Sequence, residues 1–307
     1  MKKWIIVPIA LFPVVLLATY ILVPAKINLS QSVSINCTQG AANRYLVNDS
    51  NWAKWWPQNT PLPFRYKEYI FQPNQRMFDA IEVGIAGEDI TVNSRIILIP
   101  QFKDSVNIQW LLEYKTGNNP FTRVNRYRQA EKLSRHLNSI LTQLKMFLEK
   151  PEKVYGITVN KTVVKDTLLI STKKVFAAHP STQDIYSLIN KLKMYIQQQG
   201  ARETGYPMLN IQQKSGWHYE TMVAIPINKV IKEQNDMVQK NLVQGNILVA
   251  EVRGGAHTVN NAFSQMENYL TDHHYESPAI PFYSLVTNRL TETDTTKWIT
   301  RIYYPVF

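Results

Sequence analysis

The stretch YETMVAIPI, Tyr219 to Ile227, has a counterpart near the C-terminus in WITRIYYPV, Trp298 to Val306. At an offset of 79, Tyr219 falls on Trp298, Thr221 on Thr300, Val223 on Ile302 and Pro226 on Pro305. An echo at fixed spacing points to an internal repeat. At an offset of 74, the segment TQDIYSLINKLKMYIQQQG brings Ile185 onto Val259, Leu188 onto Ala262, Ile189 onto Phe263 and Leu192 onto Met266. Those positions share one helix face. The same offset carries YPMLNI (206–211) onto IPFYSL (280–285), while TLLIS (167–171) and NILVA (246–250) read as equivalent strands. Each half is therefore strand–helix–strand–strand, and the unit occurs twice.

Upstream of the repeat, an alternating segment, INLSQSVSIN (27–36), leads to the aromatic cluster NWAKWWPQ (51–58). Strand-like runs follow, FRYKEYIF, RMFDAIEVGIAG, ITVNSRIILIP and VNIQWLLEYKT, separated by Pro, Gly and Asp turns. The last element, 123–150, reads as one long helix, with Leu133, Leu137, Ile140, Leu141, Leu144, Phe147 and Leu148 at three- and four-residue spacing before Pro151. An antiparallel sheet gripping one helix, an α+β arrangement, is expected. The chain thus divides into residues 1–25, 26–150 and 151–307, and 307 residues suffice for two separate cores.

The N-terminal piece carries its own expectation. Lys2 and Lys3 precede an uncharged run from Trp4 to Pro24, about the length of a helix crossing a ~30 Å hydrocarbon core. The expectation is a retained transmembrane helix, with a cleaved signal peptide as the alternative. It implies a bacterial inner-membrane protein whose bulk faces the periplasm. The formal charge of +11 suits an anionic surface, nucleic acid or an acidic ligand. The basic residues are scattered, however, without a helix-turn-helix or zinc-finger pattern, so no nucleic-acid partner is expected. A single cysteine, Cys37, excludes an internal disulfide, and the residues before it form no lipobox.

The order of elements around the Trp52, Trp55 and Trp56 cluster resembles the START-like, polyketide-cyclase/lipid-transport (SRPBCC) superfamily. That resemblance implies a helix-grip domain holding a hydrophobic ligand between sheet and long helix. The tandem βαββ unit, with its VRGG-x-H turn (252–257) and closing D-T-x-K-W-x-T-R-I-Y-Y-P-V, resembles the GyrI-like, AraC-type effector-binding family. This second resemblance implies two half-sheets about a pseudo-twofold axis, with an aromatic-lined cleft for a small lipophilic or cationic molecule. It also implies a carboxylate in the third element of each repeat, where this chain has Asn210 and Ser284.

No nucleotide-binding, nucleophile-elbow or metal-ligating pattern is present, so no catalytic residue, metal or cofactor is expected. The paired His273 and His274 fit the end of a helix better than a metal site. The candidate ligand-binding residues are Tyr219, Tyr283, Trp298 and Tyr303 as aromatic walls. Glu220, Glu251 and Arg301 are the candidate charged groups. The expected function is sensing, carrying or sequestering a small lipophilic ligand. The alternative is hydrolysis of a small electrophile, which would need a carboxylate of raised pKa in a dry cleft.

Overall fold

The computed structural model describes residues 16–58, 62–88, 90–102, 104–164, 168–214, 216 and 218–307. The chain forms two compact units, Met1–Lys150 and Pro151–Phe307. Both are α+β.

In the first unit, β1 (Lys26–Ile35) is followed by helix α1 (Gln39–Leu46) and a 3-10 turn (Asp49–Lys54). Strands β2 (Phe64–Tyr66), β3 (Tyr69–Arg76), β4 (Ala80–Gly87), β5 (Ile90–Phe102) and β6 (Ser105–Lys115) come next, and helix α2 (Pro120–Leu148) closes the unit. The strands make one antiparallel sheet in the order β1-β6-β5-β4-β3-β2. Helix α2 starts where Asn119 accepts from the amides of Phe121 and Thr122 and Pro120 takes the first turn, a position that needs no N–H. All seven apolar positions read from the sequence are buried, which fixes the face that α2 lays on the sheet. The helix ends at Leu148, and Pro151 opens the next helix.

The tryptophan cluster belongs to this core. Trp52, Trp55 and Trp56 are all buried, with Trp52 stacked on Trp56 at 5.5 Å. Their indole N–H groups donate to the carbonyls of Leu46 (2.7 Å), Tyr45 (2.8 Å) and Arg65 (2.7 Å), so none is lost to burial.

The transmembrane expectation is corrected. Among the described residues no helix is long and apolar enough to cross a membrane. Of the span from Trp4 to Pro24, the part up to residue 15 lies outside the described residues. What is described of it is helical from 16 to 22. Its end is tied to the first unit: Tyr20 donates to the carbonyl of Asn118 at 2.7 Å, and Arg123 donates to that of Val23 at 2.5 Å. The inner-membrane, periplasm-facing placement rested on that helix and is not supported, and membrane association is not shown.

The second unit runs α3 (Pro151–Tyr155), β7 (Val159–Val163), β8 (Leu168–Phe176), α4 (Thr182–Gln198), β9 (Met208–Gln213) and β10 (Tyr219–Pro226). It continues with β11 (Val238–Asn241), β12 (Asn246–Arg253), α5 (Ala256–Asp272), β13 (Phe282–Leu285) and β14 (Ile299–Val306). One antiparallel sheet of eight strands results, in the order β11-β8-β10-β9-β13-β14-β12-β7. The order is a palindrome about the β9–β13 pair, where Tyr283 meets Leu209 and Ser284 meets Met208. The outermost strands are exchanged. Strand β7 precedes the first βαββ unit but pairs with β12 of the second, and β11 precedes the second but pairs with β8 of the first.

Both helices lie on one face of this sheet. Helix α4 packs Ile185, Ile189 and Leu192 against Ile170, Val223 and Ile225. Helix α5 packs Val259, Ala262 and Met266 against Leu248, Ala250 and Ile302. A capping box starts α4, where Ser181 Oγ accepts from the Asp184 amide at 3.1 Å and the Asp184 carboxylate accepts from the Ser181 amide at 3.0 Å. Helix α5 instead follows Gly254 at φ +140°, where a side chain would strain the backbone and strike Thr258. The offset grows from 74 to 79 because residues 214–218 join β9 to β10, whereas the longer segment 286–298 joins β13 to β14.

Candidate functional site

Alternation along each strand sends adjacent side chains to opposite faces. On β10, Thr221, Val223 and Ile225 face the helices, which turns Met222 and Ala224 to the open face. On β14, Ile302 and Tyr304 face the helices and Pro305 the other way. The open face holds a cavity of about 330 Å³. Its walls include Leu169, Met208, Met222 and Ala224 from the first repeat and Ile247, Phe282 and Pro305 from the second. The cavity therefore straddles the pseudo-twofold axis. Val164 and the segment 241–245, which lead from the exchanged edge strands into β8 and β12, border it, with Ile280 and Phe307. The apolar rim is unusually open to solvent: Val243 is 75% exposed, Ile280 55% and Phe307 79%. Apolar walls, a few polar groups and this volume are the ordinary make-up of a small-molecule site, at the lower end of the ~300–1,000 Å³ range.

The residues singled out in the sequence divide between the two faces. Tyr219 and Tyr283 lie on the helix face, as does Trp298 at the head of β14. Tyr219 meets His179 edge-on at 5.4 Å. Tyr283 packs against Phe263 at 5.9 Å, and burial pushes its phenol up to about 12, against the opposing charge of Arg289. The Trp298 ring stacks under the Arg289 guanidinium at 4.7 Å and donates its indole N–H to the carbonyl of Glu292 at 2.8 Å.

Glu220, Glu251, Arg301 and Tyr303 take the open face. Glu220 lies 3.6 Å from Lys173 and 3.8 Å from Lys214. Glu251 accepts from Arg301 at 2.9 Å, a hydrogen bond that holds the guanidinium above its ordinary pKa. Arg301 also sits 5.7 Å from the Tyr206 ring. Tyr303 stacks on Phe282, centroids 4.9 Å apart and planes 11° from parallel, so it backs the cavity wall. None of the three charged residues lines the cavity itself. Asn210 does, with its amide N–H donating to the carbonyl of Pro281 at 2.9 Å, while Ser284 is buried beside Met208.

Sequence reasoning did not single out Lys240, Met222, Phe282 or the 241–245 segment. For Met222 and Phe282 the strand parity was a usable signal. Nothing local to Lys240 or 241–245 announces a wall that only the edge-strand exchange creates. Arg289 was also missed. Burial lowers its pKa, its terminal nitrogen donates to Thr300 Oγ1 at 2.8 Å, and its buried Nε has no partner. Among the described residues no cluster of His, Cys, Asp and Glu could hold a metal ion.

Residues 174–306 match the GyrI-like small molecule binding domain. No curated protein matches the chain in sequence. Among solved structures, the EcmrR C-terminal domain is 13% identical, with 49% of this chain and 98% of that one covered and a TM-score of 0.43. A hydrolase from Listeria innocua is 8% identical, with 48% and 92% covered and a TM-score of 0.36. A START superfamily protein from Mycobacterium smegmatis is 15% identical, with 38% and 98% covered and a TM-score of 0.26. Residues 174–306 of this chain are a GyrI-like small-molecule binding domain.

Proposed function

We propose that the second unit binds a small lipophilic molecule in the open-face cavity, and that the protein serves to sense, carry or sequester it. The observation that carries this reading is the position of the cavity: an apolar hollow of about 330 Å³ with walls from both repeats, within the domain assigned to small-molecule binding. Hydrolysis draws no specific support. The two candidate ligand-binding carboxylates, Glu220 and Glu251, stand outside the cavity and against lysines or Arg301. For the first unit we propose a START-like domain, supported by its antiparallel sheet packed on a 29-residue helix.

The test is a fluorescence titration of the full chain with the neutral apolar probe N-phenyl-1-naphthylamine. Binding is expected in the unaltered protein. It should be lost in Ala224→Phe, which puts a ring into the cavity from a position only 6% exposed. Unchanged probe affinity in a folded Ala224→Phe variant refutes the site.

A further inference from the structure

We propose that the natural ligand is an anionic amphiphile: one apolar chain of medium length lying in the open-face cavity, with a carboxylate or similar anionic head at Lys240. The inference rests on the reading above and adds to it the sign of the ligand's charge.

The charge inventory of the walls carries it. Among the described residues that line the cavity, Lys240 alone has a charged side chain, and no Asp or Glu is among them. A lipophilic cation would enter an apolar hollow whose described charged side chain repels it. An anion would find its counter-charge already at the rim. The two positions where the family resemblance implies a carboxylate are neutral, and the amide N–H of Asn210 is committed to Pro281. The two candidate carboxylates on the same face, Glu220 and Glu251, are paired with Lys173 and Lys214 and with Arg301.

Lys240 is also free to change partners. Its ammonium donates to the thioether sulfur of Met222 at 3.2 Å, a weak acceptor, and none of the ion pairs among the described residues includes it. A carboxylate would replace that contact by a charge-assisted hydrogen bond at no cost to any existing ion pair. Met222 is itself a cavity wall, so the ammonium sits where a head group would emerge as its chain packs below. A volume of about 330 Å³ suits one such chain.

The experiment is a competition on the full chain, with bound N-phenyl-1-naphthylamine displaced by decanoate or by decyltrimethylammonium below their micelle concentrations. Decanoate should displace the probe at a concentration about tenfold lower, the worth of one charge-assisted hydrogen bond at a partly exposed site. Lys240→Gln should erase the difference, and Lys240→Glu should reverse it. Lys240 is exposed on an edge strand, so neither change threatens the fold. Equal displacement by the two ions, or an anion preference that survives Lys240→Gln, overturns the inference while leaving the cavity intact as the site. If decanoate fails to bind and the probe binds equally well to Ala224→Phe, the site itself is overturned as well.

Discussion

Phe282→Ala is the substitution that best separates the two faces of the second unit. Phe282 is half-buried, with one ring face against Tyr303 and another side lining the cavity. A phenylalanine side chain presents some 150–250 Å² in all, and a single ring face offers a ligand roughly a quarter of that, about 50 Å². At about 25 cal/mol per Å² this is about 1.2 kcal/mol, or close to an eightfold loss of affinity for a neutral apolar ligand. The measurement is the dissociation constant of N-phenyl-1-naphthylamine by fluorescence, with thermal unfolding recorded alongside. Losing the stack on Tyr303 should cost stability only about 0.5–1.5 kcal/mol, so the variant remains folded at the titration temperature. Tyr219→Ala and Trp298→Ala, on the helix face, should leave the dissociation constant where it was. The opposite pattern, with Phe282→Ala neutral and the two helix-face variants weakened, refutes the assignment and moves the ligand between α4 and α5.

Two further outcomes concern the first unit. Ser94→Ala removes a buried hydroxyl that donates to the Val83 carbonyl at 2.7 Å and accepts from Trp110 Nε1 at 2.9 Å. Leaving both partners unsatisfied should cost about 2–4 kcal/mol by denaturant unfolding, and Trp110→Phe in the same chain should recover part of it. If the double variant is simply the sum of the two singles, the three groups do not act together. Acid should weaken the same unit. Burial against Tyr66 and Tyr69 holds the His136 pKa below its ordinary 6.5, so the unfolded chain gains a proton that the native one resists. That stability is present above pH 6.5 and is lost as the pH falls through it toward the lower native value. Burial pulls Glu68 upward, but Lys132, its backbone hydrogen bond and the His136 charge together hold it below 4.5, so its contribution disappears only at still lower pH. His136→Gln should flatten the first of these losses in melts followed by tryptophan fluorescence. A profile unchanged by that substitution contradicts the assignment.

How much was legible follows from which interactions are local. The repeat could be read because helix faces and strand ends impose their periods on the sequence wherever they occur. The long helix could be read from Leu133 to Leu148 for the same reason. The exchange of β7 and β11 could not, because short edge strands such as Val159–Val163 are largely exposed and carry no pattern that names a partner. Placing Tyr219 and Glu220 in the same cleft passed over a signal that was present, since neighbours on a strand face opposite ways. The apolar N-terminal run shows the limit of composition. Hydropathy gives no sign of the hydrogen bonds that tie residues 20–23 to the first unit, beside which Leu17, Ile21 and Leu22 stay exposed. Tyr20 on Asn118 and Arg123 on Val23 are partners that only the folded chain brings together.

The crossed edge strands set an order of events during synthesis. Strand β7 leaves the ribosome early and has nothing to pair with until Asn246–Ala250 has been translated, the whole of the first repeat later. The β8 edge of the first repeat likewise stays open until Val238–Asn241 has been made, and an open edge invites the wrong strand. Both long-range pairings therefore become available close together, in the short stretch between the two repeats. A ribosome paused at the end of the first repeat would hold a half-sheet with β7 unpaired and the β8 edge bare. Truncations before Asn246 are accordingly expected to leave β7 without its partner.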